Sequence, residues 1–338
     1  MLILGIETSC DDTAVAVCSP ERLLSNIVSS QLIHKQFGGI VPELASRAHQ
    51  KLIVPIVTKA LSAANAGLDD IEGIAVTRGP GLMGSLLIGL SFAQGMALVQ
   101  RIPLIGINHL EAHLWSAEIE NPDLATSFLS LIISGGHTLL VAVQGFREYT
   151  VIGSTRDDAA GEAYDKVAKL LGLGYPGGPV IDRLAREGNP EYHKFPIPGP
   201  RGKTLDFSFS GIKTSVLYFI QSLSPQEIQE NLANICASFQ KVMVEAIVDK
   251  TIQAARKYLL HRIVVTGGVA ANSYLKLRMQ ERGMEAKRKV YFPSPVFCTD
   301  NGAIIAHVGR KYLAAGITSS LGLAPIANLE LGPSDKTN

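Results

Sequence analysis

Residues 128–143, FLSLIISGGHTLLVAV, repeat the form of residues 3–17, ILGIETSCDDTAVAV. In each stretch an apolar run enters a turn rich in Gly or Asp, and a Thr with alternating apolar residues follows the turn. Alternation with a period of two is typical of β-strands. Because the two stretches lie about 125 residues apart, they predict a duplicated fold with a cleft between its halves. Chance similarity between two short hairpins is the alternative.

Helical patterns alternate with these strands. A long helix is predicted over residues 42–64, a strand over 71–79 and a largely apolar helix over 81–100. The second half continues with a helix at 160–173 and another at 225–260. Strands that alternate with helices indicate an α/β protein.

The chain length of 338 residues favours two lobes over one small core. We expect lobe I to span residues 1–125 and lobe II to span 126–299. A last amphipathic helix, at about 300–325, is expected to pack back on lobe I.

The composition is that of a globular protein, with 46% hydrophobic and 18% charged residues. The formal net charge is only +1, so any contact with RNA must come from a local patch. The densest group of cations comprises Lys276, Arg278, Arg282, Lys287, Arg288 and Lys289. A solvated helix face and its exit turn is the favoured interpretation of this group.

The four cysteines are scattered and form no Cys-x-x-Cys pair. This spacing argues against a disulfide framework or a thiolate zinc site and suits a reducing compartment. The first residues, MLILGIETSCDD, do not have the form of a signal peptide, and no apolar run is long enough to predict a membrane span. We therefore expect a cytoplasmic protein.

Three glycine-rich turns are candidates for ligand contacts. GPGLMG (79–84) formally satisfies G-x-G-x-x-G, but Pro80 removes an amide donor and the next strand ends without an acid, so a tight strand–helix turn is predicted. SGGH (134–137) could hold an anion with backbone amides or be a plain hairpin turn. TGGVAANSYL (266–275) joins a strand to a helix and offers Asn272 as N-cap. No P-loop motif occurs.

The stretch INHLEAHLW (107–115) places His109 and His113 four positions apart. Asn108 can cap a helix that begins at His109, with Glu111 at the third position of a capping box. Both imidazoles then lie on one face and could hold a metal, with Asp300, at a later helix start, as third ligand. Two helical histidines can equally be exposed or satisfied in a core, so the residues alone leave both interpretations open.

Glu111 is the third residue of His-x-Glu-x-His, so the zincin pattern His-Glu-x-x-His is absent. Several other acids follow strands or turns, and turn acids are usually helix caps. A duplicated cleft lined by Asp and Gly turns is nevertheless a familiar way to hold a nucleotide. The acids concerned are Asp11, Asp12, Asp157, Asp158, Glu162, Asp165 and Asp182.

Taken together, the motifs closely resemble those of the TsaD family of tRNA threonylcarbamoyltransferases. They occur in order from residue 1 to about 325 and include GIETSCDDTAVAV, TRGPGLMGSLLIG, NHLEAHLWS, ISGGHT, DDAAGEAYDKVAKLLGLGYPGGP, FSFSGIKT, VTGGVAANSYL and PSPVFCTDNGAIIA. The resemblance implies the duplicated actin, chaperone-ATPase and sugar-kinase fold, a ribonuclease H-like architecture.

The resemblance also implies a reaction: transfer of a threonylcarbamoyl group from threonylcarbamoyl-adenylate to N6 of adenosine 37 in tRNAs that read ANN codons. It implies that His109, His113 and Asp300 hold one divalent metal ion, Fe²⁺ with Zn²⁺ possible. The residues implied to contact the adenylate are Ile132, Ile133, Ser134, Gly135, Gly136, Asp165, Gly178, Asp182 and Asn272.

Similar proteins work with a smaller paralogous subunit (TsaB-like) and a P-loop ATPase (TsaE-like). One departure from the family pattern is Asp12, where Glu is usual. Asp11 is our candidate for assisting proton removal. Two alternative functions stay open: a metallopeptidase, and an ATP-driven binding or chaperone module of the same fold.

Overall fold

The computed structural model describes residues 1–31, 37, 39–124, 127–199 and 204–332. The chain forms two compact units. Unit 1 comprises Met1–Asn121 and Ser294–Leu331, and unit 2 comprises Pro122–Pro293 and Gly332–Asn338. Residues 125 and 126, where the sequence places the division between lobes, lie outside the described residues.

The sheet of unit 1 has the order β3-β2-β1-β4-β5. The first three strands form an antiparallel meander, and β4 and β5 run parallel to β1. The central strands are almost wholly buried, because helices cover both faces. The strands are β1 (Leu2–Glu7), β2 (Asp12–Cys18), β3 (Leu23–Ser30), β4 (Ile71–Gly79) and β5 (Leu104–Asn108).

Among the described residues, unit 1 has five α-helices: α1 (Pro42–Ala63), α2 (Met83–Gln100), α3 (His109–Leu114), α10 (Pro295–Cys298) and α11 (Gly302–Ala314). Of the helices in the described residues, α2 alone is long and apolar enough to cross a membrane. It packs against α1 and β4. Core helices of globular proteins can have the same length and hydropathy.

The helix α11 packs flush on the sheet of unit 1, because glycines line the contact. A Cβ added at Gly5 would lie 2.5 Å from the Ala306 nitrogen and 2.5 Å from the Gly302 oxygen. The helix is shorter than the predicted 300–325. It ends at Ala314 because Gly316 takes a left-handed conformation (φ 73°), and the amide of Ile317 bonds back to the Tyr312 carbonyl.

The sheet of unit 2 repeats the topology of the first. Its order is β10-β9-β6-β7-β8, with an antiparallel meander β6–β7–β8 and with β9 and β10 parallel to β6. The duplication predicted from residues 3–17 and 128–143 is confirmed, since these residues form β1–β2 and β6–β7. The strands are β6 (Phe128–Ile133), β7 (Thr138–Gly145), β8 (Glu148–Ser154), β9 (Arg262–Thr266) and β10 (Lys289–Tyr291).

The helices of unit 2 are α4 (Ala160–Leu170), α5 (Gly177–Ala185), α6 (Ser210–Gln221), α7 (Pro225–Glu230), α8 (Leu232–Lys257) and α9 (Ser273–Glu285). The prediction of a single helix over residues 225–260 was wrong, because two helices occupy this stretch. Ser224 and Glu227 form a capping box that starts α7, and the helical path breaks at Asn231, which leaves the α-helical conformation (φ −108°, ψ 14°) before α8 begins.

Candidate metal centre and nucleotide-contact residues

The short helix α3 holds the two histidines singled out by the sequence. The side chain of Asn108 accepts hydrogen bonds from the amides of Leu110 and Glu111, which confirms it as the helix cap. His109 and His113 therefore lie one turn apart, with ring centroids separated by 4.8 Å. Both are buried. A buried imidazole pair needs partners, and these come from elsewhere in unit 1.

Asp300 lies just before α11, and its carboxylate contacts both imidazoles. Its Oδ1 lies 3.5 Å from His109 Nε2 and 3.3 Å from His113 Nε2. The next residue, Asn301, caps α11 by accepting from the amide of Ile304, and this fixes the backbone beside Asp300. One donor atom from each of the three residues lies within 4.8 Å of the others. The structure thus brings together the three predicted ligands.

These separations fit a metal ion. With metal–donor distances of about 2.0–2.2 Å, neighbouring donors in a tetrahedral or octahedral shell lie about 3.0–3.5 Å apart. The two separations from Asp300, 3.3 and 3.5 Å, fall in this range, and the donor atoms of the two imidazoles lie within 4.8 Å of each other. Two imidazoles and one carboxylate are also a common donor set for Fe²⁺ and Zn²⁺. The group can therefore hold a divalent metal ion.

Glu7, at the end of β1, was not singled out by the sequence. Its carboxylate is fully buried, and Oε2 lies 3.0 Å from His109 Nδ1. Burial raises the pKa of Glu7, but the neighbouring His109 outweighs it and holds the pKa below its ordinary value. Burial lowers the pKa of His109, while the carboxylates of Asp300 and Glu7 raise it to about 9. Without a metal, the two side chains form a buried ion pair.

Glu111 points away from this group. Both of its carboxylate oxygens accept from the hydroxyl of Tyr312, each at 2.9 Å, so the residue ties α3 to α11. Just beyond α3, Glu118 accepts from His307 Nε2 (2.7 Å) and from Lys311 Nζ. Glu111 thus ties α11 to α3, whereas Glu118 ties α11 to the short 3-10 helix after α3.

Asp11 and Asp12 lie in and after the turn between β1 and β2, both partly buried. Burial raises the pKa of the Cys10 thiol above its ordinary value, and the carboxylates of Asp300 and Asp11 raise it further. Asp300 and Asp11 therefore both lie near that thiol. Burial also raises the pKa of Asp12 to about 6, and Asp300, Asp11 and Glu7 add to the shift. The acids of this turn thus share the electrostatic environment of Asp300.

In unit 2, Ile132 and Ile133 end β6 as fully buried residues, and Ser134 to Gly136 form the turn into β7. The Ser134 amide donates to the His137 carbonyl at 2.8 Å, which closes the turn. A Cβ added at Gly135 or Gly136 would meet no atom within 4 Å. Packing inside the protein therefore does not require these glycines, and the space beside them is available to a ligand.

The second glycine turn of unit 2 lies directly against the first. Gly267 has a φ of 95°, and a Cβ there would lie 2.5 Å from the carbonyl oxygen of Ile133. The start of α4 also approaches, because the Gly161 amide donates to the Ser134 carbonyl at 3.1 Å. Two glycine turns and one helix N-terminus thus meet at the ends of β6 and β9.

Asp165 and Gly178 meet at the start of α5. The carboxylate of Asp165 accepts from the amide of Gly177 at 2.7 Å. Burial raises the pKa of Asp165 above its ordinary value, although the amides of Gly177 and Gly178 act in the opposite direction. Asp165 thus stabilises the N-terminus of α5, and Gly178 lies in the first turn of that helix.

Asp182 and Asn272 are joined through Gln240, which the sequence did not reveal. The Gln240 amide donates to Asp182 at 3.2 Å, and the Asn272 amide donates to Gln240 Oε1 at 2.7 Å. Asn272 also accepts from the Leu275 amide and so is the predicted N-cap of α9. Arg186 and Ser273 complete the contacts of Asp182. This buried network links α5, α8 and α9.

Two members of the cationic group, Arg278 and Arg282 in α9, are neutralised by carboxylates. Arg278 donates to Glu245 and pairs with Glu281, and Arg282 pairs with Asp249 and Glu285. For these two arginines the contacts support the interpretation as a solvated helix face.

The comparisons with known proteins agree on one family. The family model described as TsaD, tRNA N6-adenosine threonylcarbamoyltransferase, matches residues 22–307. The protein of that name from Syntrophotalea carbinolica is 50% identical over 98% of this chain and 97% of its own. The protein of that name from Clostridium kluyveri is 48% identical over 98% of each chain.

Solved structures are similar at the level of the fold. Full-length HypF in a phosphate- and nucleotide-bound form superposes with a TM-score of 0.64 at 14% identity, over 94% of this chain and 47% of that one. Component A of (R)-2-hydroxyglutaryl-CoA dehydratase from Acidaminococcus fermentans gives 0.56 at 14% identity, over 93% and 99%. These likenesses agree with the duplicated actin-like topology. From the near full-length identity to its relatives, the chain belongs to the TsaD family of tRNA N6-adenosine threonylcarbamoyltransferases.

Proposed function

We propose that this protein transfers the threonylcarbamoyl group from threonylcarbamoyl-adenylate to N6 of adenosine 37 in tRNAs that read ANN codons, with release of AMP. The observation that carries the proposal is the 50% identity to a transferase of that name over 98% of the chain. The convergence of His109, His113 and Asp300 supports it, because acyl transfer benefits from an electrophile near the carbonyl.

The metal ion is proposed to be Fe²⁺, with Zn²⁺ as alternative, bound by His109, His113 and Asp300. Two imidazoles and one carboxylate with open positions are the usual donor set of non-haem Fe²⁺ sites. When bound, the ion would supply Lewis acidity that polarises the carbamoyl carbonyl. The donor atoms of the three residues lie within 4.8 Å of one another.

The adenylate is proposed to be bound by unit 2. The turn of Ser134, Gly135 and Gly136 has open space beside Gly135 and Gly136 for a phosphate, and the backbone amides of these two glycines are the donors that an anion needs. Ile132 and Ile133 fix the position of this turn from β6. Four further residues are proposed contacts, directly or by shaping the site: Asp165, Gly178, Asp182 and Asn272.

In the reaction, the N6 amine of adenosine attacks the carbamoyl carbon, the bond from that carbon to the phosphate oxygen breaks, and the amine loses one proton. The amine is a weak nucleophile because its lone pair is delocalised into the ring, so orientation must contribute strongly. Asp11 is the proposed proton acceptor. The nearby Asp12, with a pKa of about 6, is the natural comparison in a mutational test.

The proposed partners are tRNA, a smaller paralogous subunit (TsaB-like) and a P-loop ATPase (TsaE-like), in the cytoplasm. Peptidase chemistry is not favoured, because Glu111 does not lie where a metalloprotease base would stand. Its two oxygens accept from Tyr312, and the residue is buried.

The test is transfer from synthetic threonylcarbamoyl-adenylate to unmodified tRNA, without ATP and with the partner subunits present. The modified nucleoside is measured by liquid chromatography and mass spectrometry after digestion. Wild type is expected to modify the tRNA, and His109→Ala and Asp300→Ala are expected to fold and lose transfer. His261→Ala removes an exposed histidine of unit 2 and is the matched control, with full transfer expected.

Two results would contradict the proposal. Absence of transfer by wild type would exclude the adenylate as donor and favour a module whose only chemistry is ATP hydrolysis. Full activity of His109→Ala and Asp300→Ala would show that the three residues are structural.

A further inference from the structure

The carboxylate of Glu7 is held by three donors although it is completely buried. Its Oε1 accepts from the amide of Ser9, and its Oε2 accepts from the hydroxyl of Thr77 at 2.6 Å. The third neighbour is His109 Nδ1, at 3.0 Å from Oε2. An isolated buried carboxylate is strongly unfavourable, so a site that supplies this many donors is built to keep the group ionised and fixed.

The identities of these donors determine the proton position on His109. An amide and a hydroxyl both donate to Glu7, and an ionised carboxylate can only accept. The imidazole nitrogen that faces it must therefore be the donor, so Nδ1 carries a proton. The other nitrogen, Nε2, is the one that faces Asp300 at 3.5 Å. Glu7 thus keeps the proton of His109 on Nδ1. When Nε2 has no proton, its lone pair points to the metal site.

We propose that Glu7 is the positioning residue of the metal centre, which fixes the ring orientation and the tautomer of His109. The inference rests on the metal site proposed above. Thr77 and the Ser9 amide hold Glu7 in turn. A carboxylate behind a ligand histidine raises the basicity of the ligand and orients the ring, and loss of such a partner typically weakens metal binding about 10- to 100-fold.

The second histidine has no such partner, which makes the assignment specific. His113 Nδ1 is buried and accepts or donates no hydrogen bond among the described residues. In the part of the chain that the structure describes, a carboxylate therefore holds Nδ1 of His109 but not Nδ1 of His113. Perturbing Glu7 should affect His109 selectively.

The experiment measures metal affinity, with Co²⁺ as a visible probe. The full-length protein is stripped with a chelator and titrated with Co²⁺, and the ligand-field absorption is followed for wild type, Glu7→Gln and Glu118→Gln. Glu118 is also a buried carboxylate of unit 1, but it pairs with His307 and Lys311, so the control removes a similar charge without touching His109. We expect Glu7→Gln to bind Co²⁺ about 10- to 100-fold more weakly, and Glu118→Gln to bind as wild type does.

If Glu7→Gln does not fold, Thr77→Val is the second variant, and the NMR resonance of the His109 Nδ1–H proton is the second measurement. Thr77→Val keeps the carboxylate and removes one of its donors. In the Zn²⁺-loaded protein with ¹⁵N-labelled histidine, the Nδ1–H proton of His109 is expected far downfield in wild type and shifted upfield in Thr77→Val. A general loss of stability would leave this resonance unmoved.

The outcomes separate the inference from the metal site itself. Equal Co²⁺ affinity of Glu7→Gln and wild type, or a wild-type His109 protonated on Nε2 when loaded with metal, overturns the role of Glu7 and leaves the metal site standing. If wild type binds no Co²⁺, or if His113→Ala binds it equally well, the proposed metal site is itself refuted.

Discussion

Replacing Gly5 by Ala should push α11 off the sheet of unit 1. The added Cβ would lie 2.5 Å from the backbone nitrogen of Ala306 and 2.5 Å from the carbonyl oxygen of Gly302. Ordinary contacts between nonbonded heavy atoms lie near 3.5–4.0 Å, so the helix must retreat by about 1 Å. The clashing atoms are backbone on both sides, which means that a side-chain rotation cannot relieve the overlap.

The magnitude follows from this overlap. Overpacking a core usually lowers the free energy of unfolding by about 1–3 kcal/mol, and a backbone clash on a central strand belongs at the upper end. For a unit of this size, about 3 kcal/mol corresponds to a Tm lower by about 6–12 °C. Asp300 lies two residues before α11, so the same retreat should carry its Oδ1 away from the two imidazoles and weaken metal binding.

The assay is urea unfolding followed by tryptophan fluorescence, because the chain has a single tryptophan, Trp115, which is buried in unit 1. Gly95→Ala is the matched control. Gly95 lies inside α2, and a Cβ there would meet no atom within 4 Å, so helix propensity predicts a gain of about 0.5–1 kcal/mol. If Gly5→Ala unfolds at the same urea concentration as wild type, the close contact between Gly5 and the backbone of α11 does not hold that helix in place.

Three further predictions concern charged residues. Because the pKa of Asp12 is raised from 3.8 to about 6, the ionised carboxylate destabilises the fold above about pH 6. Asp12→Asn should therefore raise the urea midpoint at pH 7.5 but not at pH 4. Burial raises the pKa of Glu118 but His307 and Lys311 lower it overall, so its stabilising effect is complete above about pH 4.5 and is lost in more acidic solution. Glu118→Gln should therefore flatten the decline in stability below about pH 4.5, measured by urea titration. Arg278→Ala should leave tRNA affinity and its salt dependence unchanged in filter binding, because two carboxylates already neutralise that guanidinium.

Local patterns were enough to predict the helix α3 and the direction of its histidines. The spacing of four places His109 and His113 on one face in any α-helix, and Asn108 is a strong cap in any context. The duplicated sheets were predictable for the same reason, since alternation is a local property. Boundaries were less predictable: Asn231 breaks a pattern that reads as one continuous helix.

Long-range partners could not be predicted from such patterns. Glu7 lies 102 residues before His109, and its position at the end of a buried strand gives no sign of a polar partner. Gln240 is likewise an ordinary residue of α8 until the fold places it between Asp182 and Asn272. These roles depend on how elements pack, and packing is decided by many residues together.

The strand β1 organises the metal centre from both sides. Gly5 lets α11 lie against the strand, which sets the position of Asp300, and two residues later Glu7 contacts His109. His113 is 187 residues from Asp300 along the chain, so no local structure could bring them together. Because one buried strand fixes both the carboxylate ligand and one imidazole, the donor atoms are set in place as unit 1 folds. Metal binding then also needs loss of the proton from His109 Nε2, because a ligand imidazole must be neutral.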